Sequence, residues 1–221
     1  MKKIMGLAIS ATLLIVLVVG GTWAYFQDTE TTKDNTFTAG TLDLTLGGDS
    51  NDTTALFTVS NIAPGDANTA TAALENIGSI AGDLSVTIGT ITNTESTGDT
   101  EYEKDNIGGA GNGELGANLD VALYFDLDGG GWGQGDIGLK IDSGSYITYE
   151  NTDGNVDLVY IKADDLASAN WAGVYALAAS GTVNLVIDWK VDYGTSVNND
   201  FQGDSVEFDV TFVLKQVAPT P

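Results

Sequence analysis

Five stretches of this chain alternate apolar and polar residues one by one, and that pattern restricts the fold more than any other feature. Leu42, Leu44 and Leu46 alternate with Asp43 and Thr45, and Leu84, Val86 and Ile88 with Ser85 and Thr87. Leu119, Val121, Leu123 and Phe125 stand opposite Asp120, Ala122 and Tyr124. Val183, Leu185, Ile187, Trp189, Val191 and Tyr193 form one long face, and Val206, Phe208, Val210, Phe212 and Leu214 another. Successive side chains of a strand point to opposite sides of the sheet, so a period of two describes strands with one buried and one wet face. Two such sheets bury their apolar faces by packing together. The expected fold is all-β: a jelly-roll-like antiparallel β-sandwich in one domain.

Shorter strands are expected at Ala55–Asn61, Thr69–Ile77, Ser145–Glu150 and Asp157–Lys162, giving eight or nine strands in all. The Ala-rich stretch Ala163–Ala179 has room for one short helix, and Asn93–Gly116 reads as a glycine-rich surface loop. Pro64-Gly65-Asp66 predicts a β-turn, and Gln202-Gly203-Asp204 a turn or bulge before the last strand. No repeat with a period of 20–50 residues is visible.

The N-terminus reads as a secretion signal. Lys2 and Lys3 precede an uncharged, apolar run from Ile4 to Gly21, and Thr22-Trp23-Ala24 supplies small residues at the positions a signal peptidase reads. Cleavage is expected between Ala24 and Tyr25, with signal peptidase as a transient partner. The alternative is a retained anchor, for which the run is at the short end. The expected plan is 1–24 signal peptide, 25–35 N-terminal arm, 36–217 β-sandwich and 218–221 tail, with no membrane span in the mature chain and an extracellular, cell-surface location.

Removing 24 of 221 residues leaves 197, enough for one β domain with a full core. The chain has no cysteine, so that core holds without disulfides. It carries 31 acidic residues against 8 lysines, with no arginine and no histidine, for a net charge of −23. Such a surface repels phosphate backbones, which excludes nucleic acid as a partner. The missing histidine and cysteine remove the commonest general base, the commonest zinc ligand and thiolate chemistry. Acidity on this scale serves solubility, or carboxylates gathered around cations such as calcium.

One segment has the chemistry for such a cation. Asp126-Leu127-Asp128-Gly129, followed by Gly130, Gly131 and Asp136, places hard oxygen ligands two residues apart among glycines. Asp126, Asp128 and Asp136 are therefore candidate Ca2+ ligands, with Glu150, Asp153 and Asp157 as further ones. The segment lacks the terminal Glu of an EF-hand, and a plain Asp/Gly hairpin loop explains it equally well. Trp132, between Gly131 and Gly133, is either a contact between subunits or a ring folded back on the core. Asn51-Asp52-Thr53 is a glycosylation sequon in an expected hairpin loop.

Three motifs carry a family resemblance. The first is Gly20-Gly21-Thr22-Trp23-Ala24-Tyr25-Phe26 followed by Thr36-Phe37-Thr38-Ala39-Gly40-Thr41-Leu42-Asp43-Leu44. The second is Asn61-Ile62-Ala63-Pro64-Gly65-Asp66, then Leu74-Glu75-Asn76-Ile77-Gly78-Ser79; the third is Asp200-Phe201-Gln202-Gly203-Asp204-Ser205. In order and spacing the chain resembles the TasA/camelysin family of secreted fibre-forming matrix proteins, to which archaeal bundling pili and cannulae subunits are similar. Residues from roughly 93 to 180 carry no such motif.

The resemblance implies a jelly-roll subunit that polymerises head to tail with copies of itself, the N-terminal segment of one copy entering its neighbour as a donor strand. Tyr25, Phe26, Thr29 and Thr31 are the donor residues it implies. The segment suits that role physically: eleven extended residues reach about 36 Å, threonine favours strands, and Phe26 brings about 2 kcal/mol on burial. Without the resemblance, a polar leader of this kind reads as a frayed terminus.

Some family members are described as peptidases. This chain has no His-Glu-x-x-His helix, and Asp142-Ser143-Gly144 occurs once, whereas an aspartic site needs two such carboxylates. The expected function is a structural one, with no catalytic residues. The alternatives are a monomeric, calcium-stabilised surface adhesin and, third, a camelysin-like secreted peptidase.

Overall fold

In the computed structural model the residues described are 41–48, 54–95, 113–192, 201 and 203–216. Their strands, numbered in chain order, form two sheets in which every pairing is antiparallel. The first runs β1 (Leu44–Leu46), β3 (Ala67–Asn76), β11 (Thr182–Val191), β6 (Leu119–Asp126), β7 (Ile137–Asp142) and β8 (Ser145–Glu150), with the two-residue β9 (Ile161–Lys162) also on β6. The second runs β10 (Asn170–Leu177), β4 (Gly82–Ile88), β12 (Ser205–Gln216) and β2 (Thr54–Ser60), with β5 (Thr92–Thr94) also on β12.

The order of pairing identifies the topology. β2 pairs β12, β3 pairs β11, β4 pairs β10 and β6 pairs β7. These are successive rungs of one antiparallel ribbon, falling alternately in the second sheet and the first, which is a jelly roll. β1 and β8 extend the first sheet at its two ends.

The alternating apolar faces meet between the sheets. Leu119, Val121, Leu123 and Phe125 of β6 and Val183, Leu185 and Ile187 of β11 share one core with Phe57, Val59, Leu84, Val86, Ile88, Phe208, Val210 and Phe212 from the second sheet. Phe57 sits opposite Phe208 on neighbouring strands with ring centroids 4.6 Å apart. Phe125 stacks on Tyr175 of the other sheet at 5.3 Å. Trp171, wholly buried, donates its indole N–H to the Lys140 carbonyl across the sandwich at 3.1 Å.

Three local expectations need correction. Ala163–Ala179 forms no α-helix: only a 3₁₀ turn, Ala163–Leu166, precedes strand β10. That strand hides its period because its register shifts between Trp171 and Tyr175, where Gly173 takes φ +61°. Of Asp157–Lys162 only Ile161 and Lys162 join a ladder, because the residues before them are held by side chains, as described below. A single helical turn, Leu115–Asn118, begins inside the expected loop Asn93–Gly116 and runs past its end.

Turn chemistry follows the sequence. Asp66 donates its N–H to the Ala63 carbonyl at 3.0 Å around Pro64 and Gly65, whose φ of +93° completes a type II turn. β7 and β8 are joined by Ser143 and Gly144, both at positive φ, as a two-residue hairpin demands.

Candidate functional site

The edge of the first sheet is unevenly covered. β3 is ten residues long, and β11 pairs with it from Ala67 to Glu75. On its other side β1 reaches only Leu74, Glu75 and Asn76, and the last bond is from Gly47 N–H to the Ala73 carbonyl, 2.9 Å. Backbone groups of an antiparallel strand face alternate sides, so Ala67, Thr69 and Thr71 turn theirs the same way as Ala73. Among the described residues no strand meets them there, and the Thr69 N–H is taken by the side-chain oxygen of Asn68 at 2.9 Å. Ala67 to Thr71 are all exposed.

The inward side of this edge carries small side chains. Ala70 and Ala72 share the core-facing side with buried Leu74, and their cross-strand partners are Ile187 and Leu185. Two methyl groups stand where larger side chains would close the sandwich. β2, the edge of the second sheet, leads through the Pro64-Gly65 turn into β3, so both edges lie at one end of the jelly roll.

The β6–β7 loop gathers the three predicted calcium ligands. One carboxylate oxygen each of Asp126, Asp128 and Asp136 lies within 4.8 Å of the others, with Asp126 and Asp136 buried. Backbone amides surround them. Asp126 accepts from Gly129 (2.6 Å), Asp128 (3.3 Å) and Gly131 (3.2 Å); Asp136 accepts from Leu127 (2.9 Å) and Gly133 (2.8 Å); Asp128 accepts from Gly130 (2.8 Å). Glycine permits the positive φ at 129, 131 and 135 that turns these amides inward. Glu150, Asp153 and Asp157 do not join the group.

Trp132 folds back on the protein. Its indole N–H donates to the Val156 carbonyl at 2.6 Å, its ring meets Tyr124 edge-on at 5.3 Å, and Tyr149 lies at 5.5 Å. The Tyr149 hydroxyl accepts from the Val159 N–H at 2.8 Å, which pins the strandless segment ahead of β9. The outer face of β6 is covered as a result, and Ala122 and Tyr124 are buried. Burial, then the charge of Asp126, raises the Tyr124 hydroxyl pKa. Beside Trp132 a cleft of about 600 Å³ opens, with Tyr160 and Lys190 in its wall. Tyr160 donates to Asp188 at 2.7 Å and carries the Lys190 ammonium 4.2 Å from its ring centre.

The sequence reading missed one cluster. Carboxylate oxygens of Glu95, Glu114 and Asp204 also lie within 4.8 Å of one another. Their positions, far apart along the chain, gave no spacing signal. Ala24, Tyr25, Phe26, Thr29, Thr31 and the Asn51 sequon lie outside the described residues.

Comparison with known proteins agrees with the motifs. Over 82 residues the chain is 46% identical to the "Major biofilm matrix component" of Bacillus subtilis (strain 168). That match covers 37% of this chain and 30% of the length of that protein. A family model described as camelysin metallo-endopeptidase matches residues 1–220, and the chain belongs to the camelysin family.

Proposed function

We propose that this protein is a structural subunit of an extracellular matrix fibre, in which residues 25–35 of one copy complete the open edge of β3 in the next. The half-covered edge is the observation that carries this reading: β1 covers β3 only as far as Ala73, and the rest of β3 offers backbone groups that no described strand meets, beside the small Ala70 and Ala72. An arriving strand gains roughly 0.5–1.5 kcal/mol per backbone hydrogen bond. Phe26 has the size to fill the space beside the two alanines. An edge left bare invites uncontrolled pairing, and filling it head to tail gives an open filament. The matrix role of the Bacillus subtilis relative supports the same reading. Secretion follows from it, with cleavage between Ala24 and Tyr25 freeing the arm only after export.

A peptidase role has little support in the donor set. Catalytic zinc is held by three protein ligands, usually including histidine. This chain has no histidine, and the two carboxylate trios among the described residues offer oxygen alone. Residues of this kind do not fit a zinc peptidase centre, and they suit a hard cation better. A calcium ion held by Asp126, Asp128 and Asp136 belongs to the proposal as a stiffener of the β6–β7 loop.

Negative-stain electron microscopy of the purified protein tests the assembly. Concentration-dependent filaments support it; monomers at all concentrations, with binding to glycans or cells, support the adhesin reading in its place.

A further inference from the structure

We propose that the cleft beside Trp132 binds a neutral carbohydrate, at a site distinct from the open edge of β3. The cleft holds about 600 Å³, within the roughly 300–1,000 Å³ of small-ligand sites. Trp132 forms one wall, residues 154–158 of the segment ahead of β9 form the second, and Tyr160 with Lys190 the third.

The chain gives up regular pairing to build these walls. Residues 151–160 join no strand, although the stretch next to them was expected to extend β9. Backbone groups that leave a ladder need other partners, and side chains supply several of them here. The Val156 N–H donates to Asn151 Oδ1 at 3.2 Å, its carbonyl accepts the Trp132 indole, and the Tyr149 hydroxyl takes the Val159 N–H. On the facing side the Tyr160 hydroxyl is fixed by Asp188, and the Lys190 ammonium rests on the Tyr160 ring. Walls held in this way need little further ordering when a ligand enters, and that lowers the cost of binding.

The lining selects the ligand class. The single N–H of Trp132 is spent on Val156, so what this half-buried residue offers the cleft is ring surface. Around it stand the exposed side chains of Asn155 and Asp157 and the Lys190 ammonium: an amide, a carboxylate and a cation. A sugar presents C–H groups on its faces, which pack on an indole, and hydroxyls on its rim, which need both donors and acceptors. A purely apolar ligand would cover those polar groups without satisfying them. An anionic one would be repelled by a chain of net charge −23, and a cationic one would meet Lys190 in the wall. The inference stands apart from fibre assembly, since every wall comes from one subunit.

Isothermal calorimetry with cellohexaose, maltohexaose, laminarihexaose and chitohexaose tests it, on the purified protein and on Trp132→Ala, Asp157→Ala and Val213→Ala variants. Val213 is an exposed residue of β12, in the other sheet. Saturable binding of at least one of these glycans is expected, weakened about tenfold or more by Trp132→Ala and by Asp157→Ala and unchanged in Val213→Ala. A wild-type protein that binds none of the four overturns the inference. So does binding that either cleft variant keeps within about tenfold, or that Val213→Ala loses to the same extent. Should Trp132→Ala change the circular dichroism spectrum, Asp157→Ala carries the test, because its side chain is exposed. Filaments are scored separately by microscopy, so a protein that assembles and binds no glycan counts against the cleft alone.

Discussion

Gly47 donates its N–H to the Ala73 carbonyl at 2.9 Å, and that bond marks where β1 ceases to cover β3. Beyond it the backbone of Thr71 faces outward with no described strand beside it. The account of assembly depends on that boundary.

Thr71→Pro is the direct probe of the edge. Proline removes an N–H that no strand among the described residues pairs with, and edge positions of this kind tolerate it. The expected outcome is a folded subunit, destabilised by about 1 kcal/mol or less in urea, that forms no filaments in electron micrographs. Filaments of normal length from this variant contradict the placement of the acceptor edge.

Asp136→Ala tests the β6–β7 loop. The wholly buried carboxylate accepts the Leu127 and Gly133 amides, and its loss leaves both without a partner. A destabilisation of about 3 kcal/mol in chemical denaturation is expected. With calcium at Asp126, Asp128 and Asp136, added calcium raises the melting temperature and Asp128→Asn shrinks the rise; an equal shift in both proteins argues that calcium acts elsewhere.

Gly138→Ala tests how the outer layer is seated. Gly138 pairs with Tyr149 across β7 and β8, and the Tyr149 ring lies over it with no room for a Cβ. The substitution displaces a ring that touches Trp132 and holds the Val159 amide. A loss of roughly 2 kcal/mol is expected by urea denaturation, with a change in tryptophan fluorescence.

Alkaline stability reports on Tyr160. Burial, then its hydrogen bond to Asp188, raises the hydroxyl pKa well above the ordinary value. The folded protein therefore keeps its proton at a pH where the unfolded chain has lost it. This contribution is complete below about pH 10 and is lost as pH rises further. Tyr160→Phe is expected to flatten the fall in melting temperature above pH 10; an unchanged profile contradicts it.

The sandwich was legible where strands such as β4 and β12 bury every second residue. β11 and β12 show their period plainly, with Leu185 and Phe208 buried and Asn184 and Glu207 turned away. β10 was illegible because a bulge at Gly173 breaks its period and alanines carry no clear sidedness. β7 escaped because it is short and its buried pair, Gly138 and Leu139, does not alternate. In the sites, the Asp126 loop was readable since its ligands are close in sequence. Glu95, Glu114 and Asp204 converge only once β5 and β12 have paired.

Assembly through the leading arm is tested most directly by deleting residues 25–34 from the secreted protein and imaging it by electron microscopy beside the wild type. The account predicts folded, soluble monomers and no filaments. Filaments indistinguishable from wild type would contradict it.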